Sequence, residues 1–204
     1  VLDGTVVSVT TPPMVDDIGL TLSDAQWVAS GYAVAFAALL LTTGRLGDRH
    51  GRRLLFVLGV STFAAASFLV AMAQDPAALV AARIVQGVGG ALVLPSTLST
   101  VNATFRGRDR AVAFGLWGAV MAGAAAIGPL LGGWLATSFD WRWVFLINVP
   151  LTAVVLALAV RYVPETRGEG GAGFDGGGRV LSVVGLGPLV FGLIVAPELG
   201  WFRP

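Results

Sequence analysis

Seven apolar runs divide this sequence, separated by short polar segments. A helix needs about 20 consecutive apolar residues to cross a bilayer, and five of the runs are about that long or longer. Hydrophobic residues make up 55% and charged residues 12% of the chain, whereas a soluble domain has about 25% charged residues. We therefore predict an all-α membrane protein surrounded by a lipid bilayer. The predicted helices lie at about Leu2–Val15, Ala25–Thr43, Leu54–Ala73, Ala77–Val101, Ala111–Thr137, Trp141–Val160 and Val180–Ala196.

The basic residues are all arginines, and most of them follow the second, fourth and sixth predicted helices. Cytoplasmic loops of membrane proteins carry an excess of basic residues. We therefore predict a multi-pass protein of the inner (plasma) membrane, with the loops after helices 2, 4 and 6 in the cytoplasm. The opposite loops hold Asp16, Asp17 and Asp24. A net charge of +1 confined to short loops gives no reason to expect nucleic acid as a partner.

The densest group of arginines is the stretch Gly44–Arg53, which holds three glycines, four arginines and one acid, Asp48. It lies between two predicted spans, so it is expected to form a tight cytoplasmic turn. Asp48 is expected to accept backbone N–H groups at a helix start or to pair with Arg110 on the neighbouring loop. His50 is isolated in this basic stretch, and no metal site is expected there.

Two ionisable residues, Asp3 and Arg83, lie inside predicted spans. A charge in the bilayer costs about 2.5–3.5 kcal/mol on insertion scales, so such residues usually face a cavity and serve a function. Asp3 is a candidate for loading and releasing a proton, although it could instead be solvated or bind only a cationic substrate. Arg83 is a candidate fixed positive charge, and the alternative is an arginine that bonds backbone carbonyls near the outer interface. Gln86, one turn from Arg83, is expected to line the same cavity.

The predicted organisation is a helix bundle over residues 1–161, a glycine-rich linker over 162–179, and a seventh helix with external residues over 180–204. The chain is expected to begin partway along a first helix, and Pro12 and Pro13 are expected to interrupt that helix. It is therefore expected to be the amino-terminal part of a larger transporter, whose carboxy-terminal half is a necessary partner. Trp141, Trp143 and Phe145 are expected to form an aromatic belt at the outer interface.

Four segments of the chain resemble motifs of the major facilitator superfamily. The arginine-rich turn resembles G-x-L-x-D-R-x-G-R-R, and Arg83–Ala91 resembles R-x-x-Q-G-x-G-x-A. Gly123–Gly133 resembles the antiporter motif, and Leu2–Val7 resembles a segment of the fourteen-span drug:proton antiporters. The resemblance implies the fold of that superfamily, here an amino-terminal six-helix bundle plus one following helix. Ser8 replaces the Asn that is usual in the branch, and Thr10 and Thr11 replace Ala-Leu. The two threonines make this wall more polar, so substrate preference is not carried over.

The resemblance also implies roles for particular residues. The turn would act as a gate that holds the inner helix ends together in one state and releases them in the other; without the resemblance, the arginines could be only a topology signal. The implied gating residues are Gly44, Asp48, Arg49, Gly51, Arg52, Arg53 and Arg110. The antiporter motif would form a bent, close-packed surface that resists leak, whereas close packing alone is the simpler interpretation. Its residues are Gly123, Gly128, Pro129, Gly132 and Gly133.

The function that these observations favour is a proton-coupled antiporter, which exports hydrophobic or cationic drug-like molecules by alternating access. Its partners would be that small-molecule substrate, protons and the bilayer, and no cofactor is expected. The alternatives are an exporter of one specific metabolite or antibiotic, and a membrane scaffold or sensor that does not transport. No nucleophile–base pair or phosphate-binding loop is apparent, so we do not expect an enzyme.

Overall fold

The computed structural model of the chain describes residues 2–167, 184–185, 188–189 and 192, with side chains from Val6 onward. Most of the predicted linker and of the predicted seventh helix, Val180–Ala196, lies outside these residues, as does the side chain of Asp3. The described chain forms helices joined by short connections. The helices are α1 (Leu2–Ile18), α2 (Leu22–His50), α3 (Arg52–Met72), α4 (Pro76–Thr104), α5 (Gly107–Ser138), α6 (Trp141–Leu146) and α7 (Asn148–Tyr162). The prediction of an all-α protein is confirmed.

Within the described residues, five helical stretches are long and apolar enough to cross a membrane. They are α2, α3, α4, α5 and the combined stretch of α6 and α7, Trp141–Tyr162. The five predicted spans from Ala25 to Val160 each correspond to one of these stretches. The protein is therefore a multi-pass membrane protein.

Polar side chains at the helix starts satisfy the backbone N–H groups that have no partner within the helix. Thr21 caps α2, because its hydroxyl accepts from the N–H of Asp24 while the Asp24 carboxylate accepts from the N–H of Thr21. This reciprocal pair is a capping box. The Asp75 carboxylate caps α4 by accepting from the N–H of Ala78, and the Asp140 carboxylate caps α6 by accepting from the N–H of Arg142.

The helices pack in an order that differs from their order along the chain. Helix α4 packs against both α2 and α3, α1 packs against α5, and the α6–α7 pair packs against α3. The connections after α1, α3 and α5 lie at one end of the bundle, which we call the aspartate end. The turns after α2 and α4 and the residues that follow α7 lie at the other end, which we call the arginine end.

Helix α2 extends further than predicted, and the turn after it is much shorter. The prediction ended this helix at Thr43, but the helix continues through most of the arginine-rich stretch to His50. The turn is the single residue Gly51, whose φ of 118° is open to glycine and costly for other residues. The hydroxyl of Thr43 donates to the backbone carbonyl of Ala91 on α4 at 2.6 Å, which fixes α2 against α4 before the charged residues begin.

Proline affects two helices in different ways. Pro12 and Pro13 were expected to interrupt α1, yet the helix runs through both of them to Ile18. Buried neighbours on both sides, Thr10 and Met14, hold the helix in place by packing. Pro150 lacks the N–H that would bond the carbonyl four residues earlier, at Leu146, and α6 ends at that residue.

The predicted aromatic belt is wrong for two of its three residues. Trp141 and Phe145 are 2% and 0% exposed, and they belong to the core cluster near the aspartate end. Trp143 is 51% exposed. Residues four apart lie on the same face of a helix and the residue midway lies on the opposite face, so only Trp143 can face outward.

An ion-pair cluster at the aspartate end joins three helices. The Arg142 guanidinium donates to the Asp17 carboxylate at 2.6 Å and to the backbone carbonyl of Ala73 at 3.3 Å. The indole N–H of Trp141 donates to the same Asp17 oxygen at 3.1 Å. The hydrogen bonds from Arg142 and Trp141 hold the pKa of the Asp17 carboxyl below its ordinary value. Asp17 was predicted to lie in a loop, but it lies in the last turn of α1.

We expect Asp17→Asn to lower the melting temperature of the full-length protein at pH 7 and to have a smaller effect in acid. Because the folded-state pKa is depressed, the stability contributed by Asp17 is present above the ordinary pKa of about 3.9 and is lost as the pH falls through the folded-state pKa. Thermal melting in detergent from pH 7 to below pH 4 measures this. Asp16→Asn, at the exposed neighbouring position, is the control. A difference between Asp17→Asn and wild type that stays constant across this range would contradict the assignment.

Candidate functional site

Arg83 on α4 is a buried cation inside a membrane-spanning helix, with 1% of its surface exposed. Its Nε donates to the backbone carbonyl of Val28 on α2 at 3.0 Å, and its guanidinium also donates to the side-chain oxygen of Gln86. The guanidinium carbon lies 4.8 Å from the ring centroid of Tyr32 and 5.7 Å from that of Phe145. Protein groups rather than water therefore surround this charge, and one of them is a backbone carbonyl, as the alternative interpretation of Arg83 expected.

Gln86 extends these contacts to two further helices. Its amide nitrogen donates to the hydroxyl of Ser67 on α3 at 2.9 Å, and the amide of Asn148 on α7 donates to the same hydroxyl at 3.4 Å. We call Arg83, Gln86, Ser67 and Asn148 the polar core network. The prediction that Gln86 lies beside Arg83 is confirmed, but Gln86 is 0% exposed and serves this network rather than an open cavity wall.

The sequence interpretation did not include Ser67, Asn148 or Tyr32 in this site. Ser67 and Asn148 are polar residues within long apolar runs, which is a signal that could have identified them. Tyr32 gives no such signal, because aromatic residues are common in membrane spans. The backbone of Asp3 is helical within α1, and its proposed role in proton exchange remains a prediction.

Asp48 pairs with Arg52 across the turn after α2. One carboxylate oxygen, Oδ1, accepts from Nε of Arg52 at 2.9 Å and from Nη2 at 2.7 Å, so two charge-assisted hydrogen bonds share this oxygen. Arg52 also donates to the backbone carbonyl of Ser99 on α4 at 3.2 Å. The predicted pairing of Asp48 with Arg110 is therefore wrong, since Arg110 donates to Asn102 instead.

Two physical reasons explain the different partner of Asp48. Helix α2 continues to His50, so Asp48 lies in its last turn and not at the start of a helix. Arg110 lies on α5, which packs mainly against α1. Of the other predicted gating residues, Gly44 packs against Pro95 on α4, and Arg49 is exposed in the last turn of α2.

Glu165 contacts the same turn and was not identified from the sequence. Its carboxylate accepts from the N–H of Arg53 at 3.2 Å, and the N–H of Arg52 donates to the backbone carbonyl of Thr166 at 2.9 Å. A Cβ at Gly51 would collide with the Glu165 carboxylate. The Arg53 guanidinium donates to a backbone carbonyl near the end of α7. The turn after α2 is thus held against the chain that follows α7.

The second half of the antiporter motif forms the contact between α5 and α1. Gly128 and Gly132 are buried, and a Cβ at Gly132 would overlap the side chain of Val6. A Cβ at Gly133 would lie 3.4 Å from the side chain of Val9. Pro129 lies inside the continuous helix α5, and a Cβ at Gly123 would meet nothing within 4 Å. The motif therefore provides close packing from Gly128 to Gly133 but not at Gly123.

A cavity of about 440 Å³ opens between α2 and α4 near the arginine end. Leu40, Gly44, Asp48, Pro95 and Ser99 are among the residues that line it. The ion pair of Asp48 therefore borders open space as well as protein. A group entering this cavity would come directly against the carboxylate.

The sequence model that describes the Major Facilitator Superfamily matches residues 1–198 of the chain. The chain belongs to the Major Facilitator Superfamily. The family resemblance of the four sequence segments is thereby confirmed. Proteins of this superfamily are transporters rather than enzymes.

Several curated members of the superfamily are similar over almost the whole chain. The methylenomycin A resistance protein of Bacillus subtilis (strain 168) is 40% identical over 204 residues, which cover 100% of this chain and 44% of that protein. The tetracenomycin C resistance and export protein of Streptomyces glaucescens is 38% identical, with coverage of 98% and 37%. The chain thus spans less than half the length of these relatives.

Solved structures of other superfamily members share the fold. A peptide transporter in complex with sulfate has a TM-score of 0.67 and 18% identity, covering 99% of this chain and 45% of that one. A bacterial homologue of the human lysosomal transporter Spinster has a TM-score of 0.58 and 20% identity, with coverage of 85% and 43%. The predicted superfamily fold is confirmed.

Proposed function

We propose that this protein is a proton-coupled antiporter that exports hydrophobic or cationic drug-like molecules by alternating access. The observation that carries the proposal is the buried Arg83 in a membrane-spanning helix. An ionised group is costly at such a position, so one that is present usually marks a functional site. The relatives named as resistance and export proteins support the same function. These relatives are more than twice as long as this chain, and we propose that a second helix bundle is the partner against which this one rocks.

In the proposed coupling step, Asp3 exchanges a proton while Arg83 remains charged. Arginine keeps its proton at any accessible pH, so Arg83 can favour the ionised form of a nearby carboxyl and promote proton release. Proton binding at Asp3 would then alternate with binding of the exported compound. Arg83 is anchored to α2, α3 and α7 through the polar core network, which supports a fixed rather than a mobile charge.

In the proposed gating step, the Asp48–Arg52 ion pair holds α2 and α4 together at the arginine end. Arg52 joins the two helices because it contacts both Asp48 and the Ser99 carbonyl. We place this end in the cytoplasm and the protein in the plasma membrane. The support is the arginine content of the turns after α2 and α4 and of the segment after α7.

A second candidate function is the export of one specific antibiotic or metabolite. The names of the relatives favour it, because two of them each refer to a single compound, methylenomycin A and tetracenomycin C. An efflux screen of the full-length protein against a panel of dyes and antibiotics separates the two candidates. Export of several unrelated compounds supports the first, and export of one supports the second.

The coupling proposal is tested with Asp3→Asn in the full-length protein, reconstituted in liposomes with a cationic dye and an imposed pH gradient. We expect Asp3→Asn to reduce gradient-driven transport to the level of liposomes without protein, because an amide cannot exchange a proton in this range. Asp3→Glu is expected to retain transport. Asp16→Asn, at an exposed acid, is the matched control.

The same assay tests the gate through Asp48→Asn. The amide keeps a hydrogen-bonding group but removes the charge that strengthens the contact with Arg52. We expect slower transport that still depends on the pH gradient. Gradient-driven transport by Asp3→Asn at the wild-type rate would refute the coupling step, and an unchanged rate for Asp48→Asn would refute the gate.

A further inference from the structure

A second cavity lies within the helix bundle and is separate from the cavity beside Asp48. Its volume is about 300 Å³, and α2, α3, α4, α5 and α7 all contribute to its lining. None of its lining residues carries a formal charge at neutral pH. Most of the lining side chains are only half-buried, so the cavity is accessible from outside the bundle.

Aromatic rings form much of the cavity wall. They are Tyr32, Phe36, Phe56, Phe63 and Trp117. Tyr32 and Phe36 are stacked, with centroids 5.9 Å apart and planes at 14°. A Cβ at Gly90 would lie 2.9 Å from the Tyr32 hydroxyl oxygen and 3.2 Å from the Phe36 ring, so the absence of a side chain there permits the stack. Aromatic walls favour a flat ring system, because offset-stacked and edge-to-face contacts between rings are attractive.

Two threonines, Thr97 and Thr152, are among the residues that line the cavity. The Thr97 hydroxyl donates to the backbone carbonyl of Val93 at 2.8 Å, and the Thr152 hydroxyl donates to that of Asn148 at 2.6 Å. Each hydroxyl has a single proton, which is used in these bonds, while its oxygen lone pairs can still accept. The two threonines therefore favour a ligand that carries an O–H or N–H donor.

The size of the cavity limits the ligand. An engineered apolar cavity of about 150 Å³ in another protein holds benzene. A cavity of about 300 Å³ is therefore suited to about two fused rings. An anionic ligand is disfavoured, because no lining residue offers a positive charge to offset its desolvation and aromatic ring faces are negative. A cationic ligand is disfavoured because the Arg83 guanidinium already lies 4.8 Å from the Tyr32 ring.

We propose that this cavity binds an uncharged aromatic compound of about two fused rings that carries a phenol-type hydrogen-bond donor. The inference rests on the proposed export function in one respect, namely that the bound group is part of an exported compound. Tyr32 links the site to Arg83, because its ring lines the cavity and also lies 4.8 Å from the guanidinium carbon. Ligand and buried cation therefore contact one shared ring.

The test measures binding of radiolabelled 2-naphthol to the purified full-length protein by equilibrium dialysis, without a proton gradient. Unlabelled naphthalene and 2-naphthalenesulfonate are the competitors. We expect naphthalene to compete about threefold to tenfold more weakly than 2-naphthol, as the loss of one neutral hydrogen bond requires. We expect the sulfonate not to compete. Equal competition by all three compounds would overturn the proposal.

Three variants locate the binding site. Trp117→Ala removes a wall of the cavity and is expected to weaken 2-naphthol binding by at least about tenfold, since removing a large buried aromatic contact costs more than 1.4 kcal/mol. Trp134→Ala, on the same helix but 57% exposed, is the matched control and should bind normally. The double variant Thr97→Val/Thr152→Val should lose the preference for 2-naphthol, so that it binds 2-naphthol and naphthalene with equal affinity.

These outcomes separate failure of the site from failure of the proposed function. Normal 2-naphthol binding by both Trp117→Ala and the double threonine variant refutes the site, whatever the transport assay shows. If the protein binds 2-naphthol selectively but transport does not depend on the pH gradient, the coupling proposal is refuted and the proposed binding site stands. If a variant does not fold, the competition of the three ligands on the wild-type protein still tests the proposed ligand preference.

Discussion

Replacing Arg83 with leucine is expected to abolish gradient-driven efflux by the full-length protein. The substitution removes the guanidinium donors to the Val28 carbonyl and to the side-chain oxygen of Gln86. A hydrogen bond from a charged donor contributes about 1.5–3 kcal/mol. Transport that depends on the arrangement held by these two bonds is therefore expected to fall by about a hundredfold or more, the factor that corresponds to about 3 kcal/mol.

Arg83→Lys separates the charge of Arg83 from its geometry. Lysine keeps a positive charge, but its compact ammonium lacks the planar guanidinium that reaches Val28 and Gln86 while lying over Tyr32. We expect Arg83→Lys to lose most of the efflux while losing less thermal stability than Arg83→Leu.

Efflux rate and melting temperature, measured on the same purified samples, are the readouts for both Arg83 variants. The matched control is Arg161→Lys, at an exposed arginine near the end of α7, and it should leave both quantities unchanged. Efflux by Arg83→Leu within about threefold of wild type, which corresponds to less than one lost hydrogen bond, would contradict a role for this charge.

Gly89→Ala is expected to destabilise the bundle by about 1–3 kcal/mol, the usual cost of overpacking a tight contact. Its Cβ would lie 2.7 Å from the backbone nitrogen of Phe63 and 2.9 Å from the carbonyl oxygen of Gly59, both on α3. Backbone atoms cannot rotate away as a side chain does, so α3 and α4 would have to separate. Gly89→Val is expected to cost more, because it adds two further methyl groups at the same point.

Thermal melting of the full-length protein in detergent measures this effect. Gly118→Ala on α5 is the matched control, since its Cβ would meet nothing within 4 Å. Alanine is the better helix former, so this control should be unchanged or slightly more stable. If Gly89→Ala melts at the same temperature as Gly118→Ala, the close approach of α3 and α4 at Gly59 and Gly89 is refuted.

The sequence determined the type and approximate limits of the five long helical stretches in the described part of the chain, and the family to which the chain belongs. Segments such as Leu54–Ala73 and Ala77–Val101 correspond closely to α3 and α4. This was possible because the bilayer sets both the length of an apolar run and the side on which arginines lie. Both can be read from the sequence without knowing which helices pack together. The buried Arg83 was identified for the same reason, since a charge in a span is conspicuous without any knowledge of its partners.

Only the tertiary structure decided which residues meet. Asp48 contacts Arg52 rather than Arg110, and Glu165 contacts the turn at Gly51, because both contacts depend on where helices end and which of them pack together. Trp141 and Phe145 face the core for the same reason. In lipid, nearly every face of these helices is apolar, so hydrophobic periodicity does not distinguish an inward face from an outward one. Helix packing makes that distinction, and it also brings Arg83, Gln86, Ser67 and Asn148 together from three separate spans.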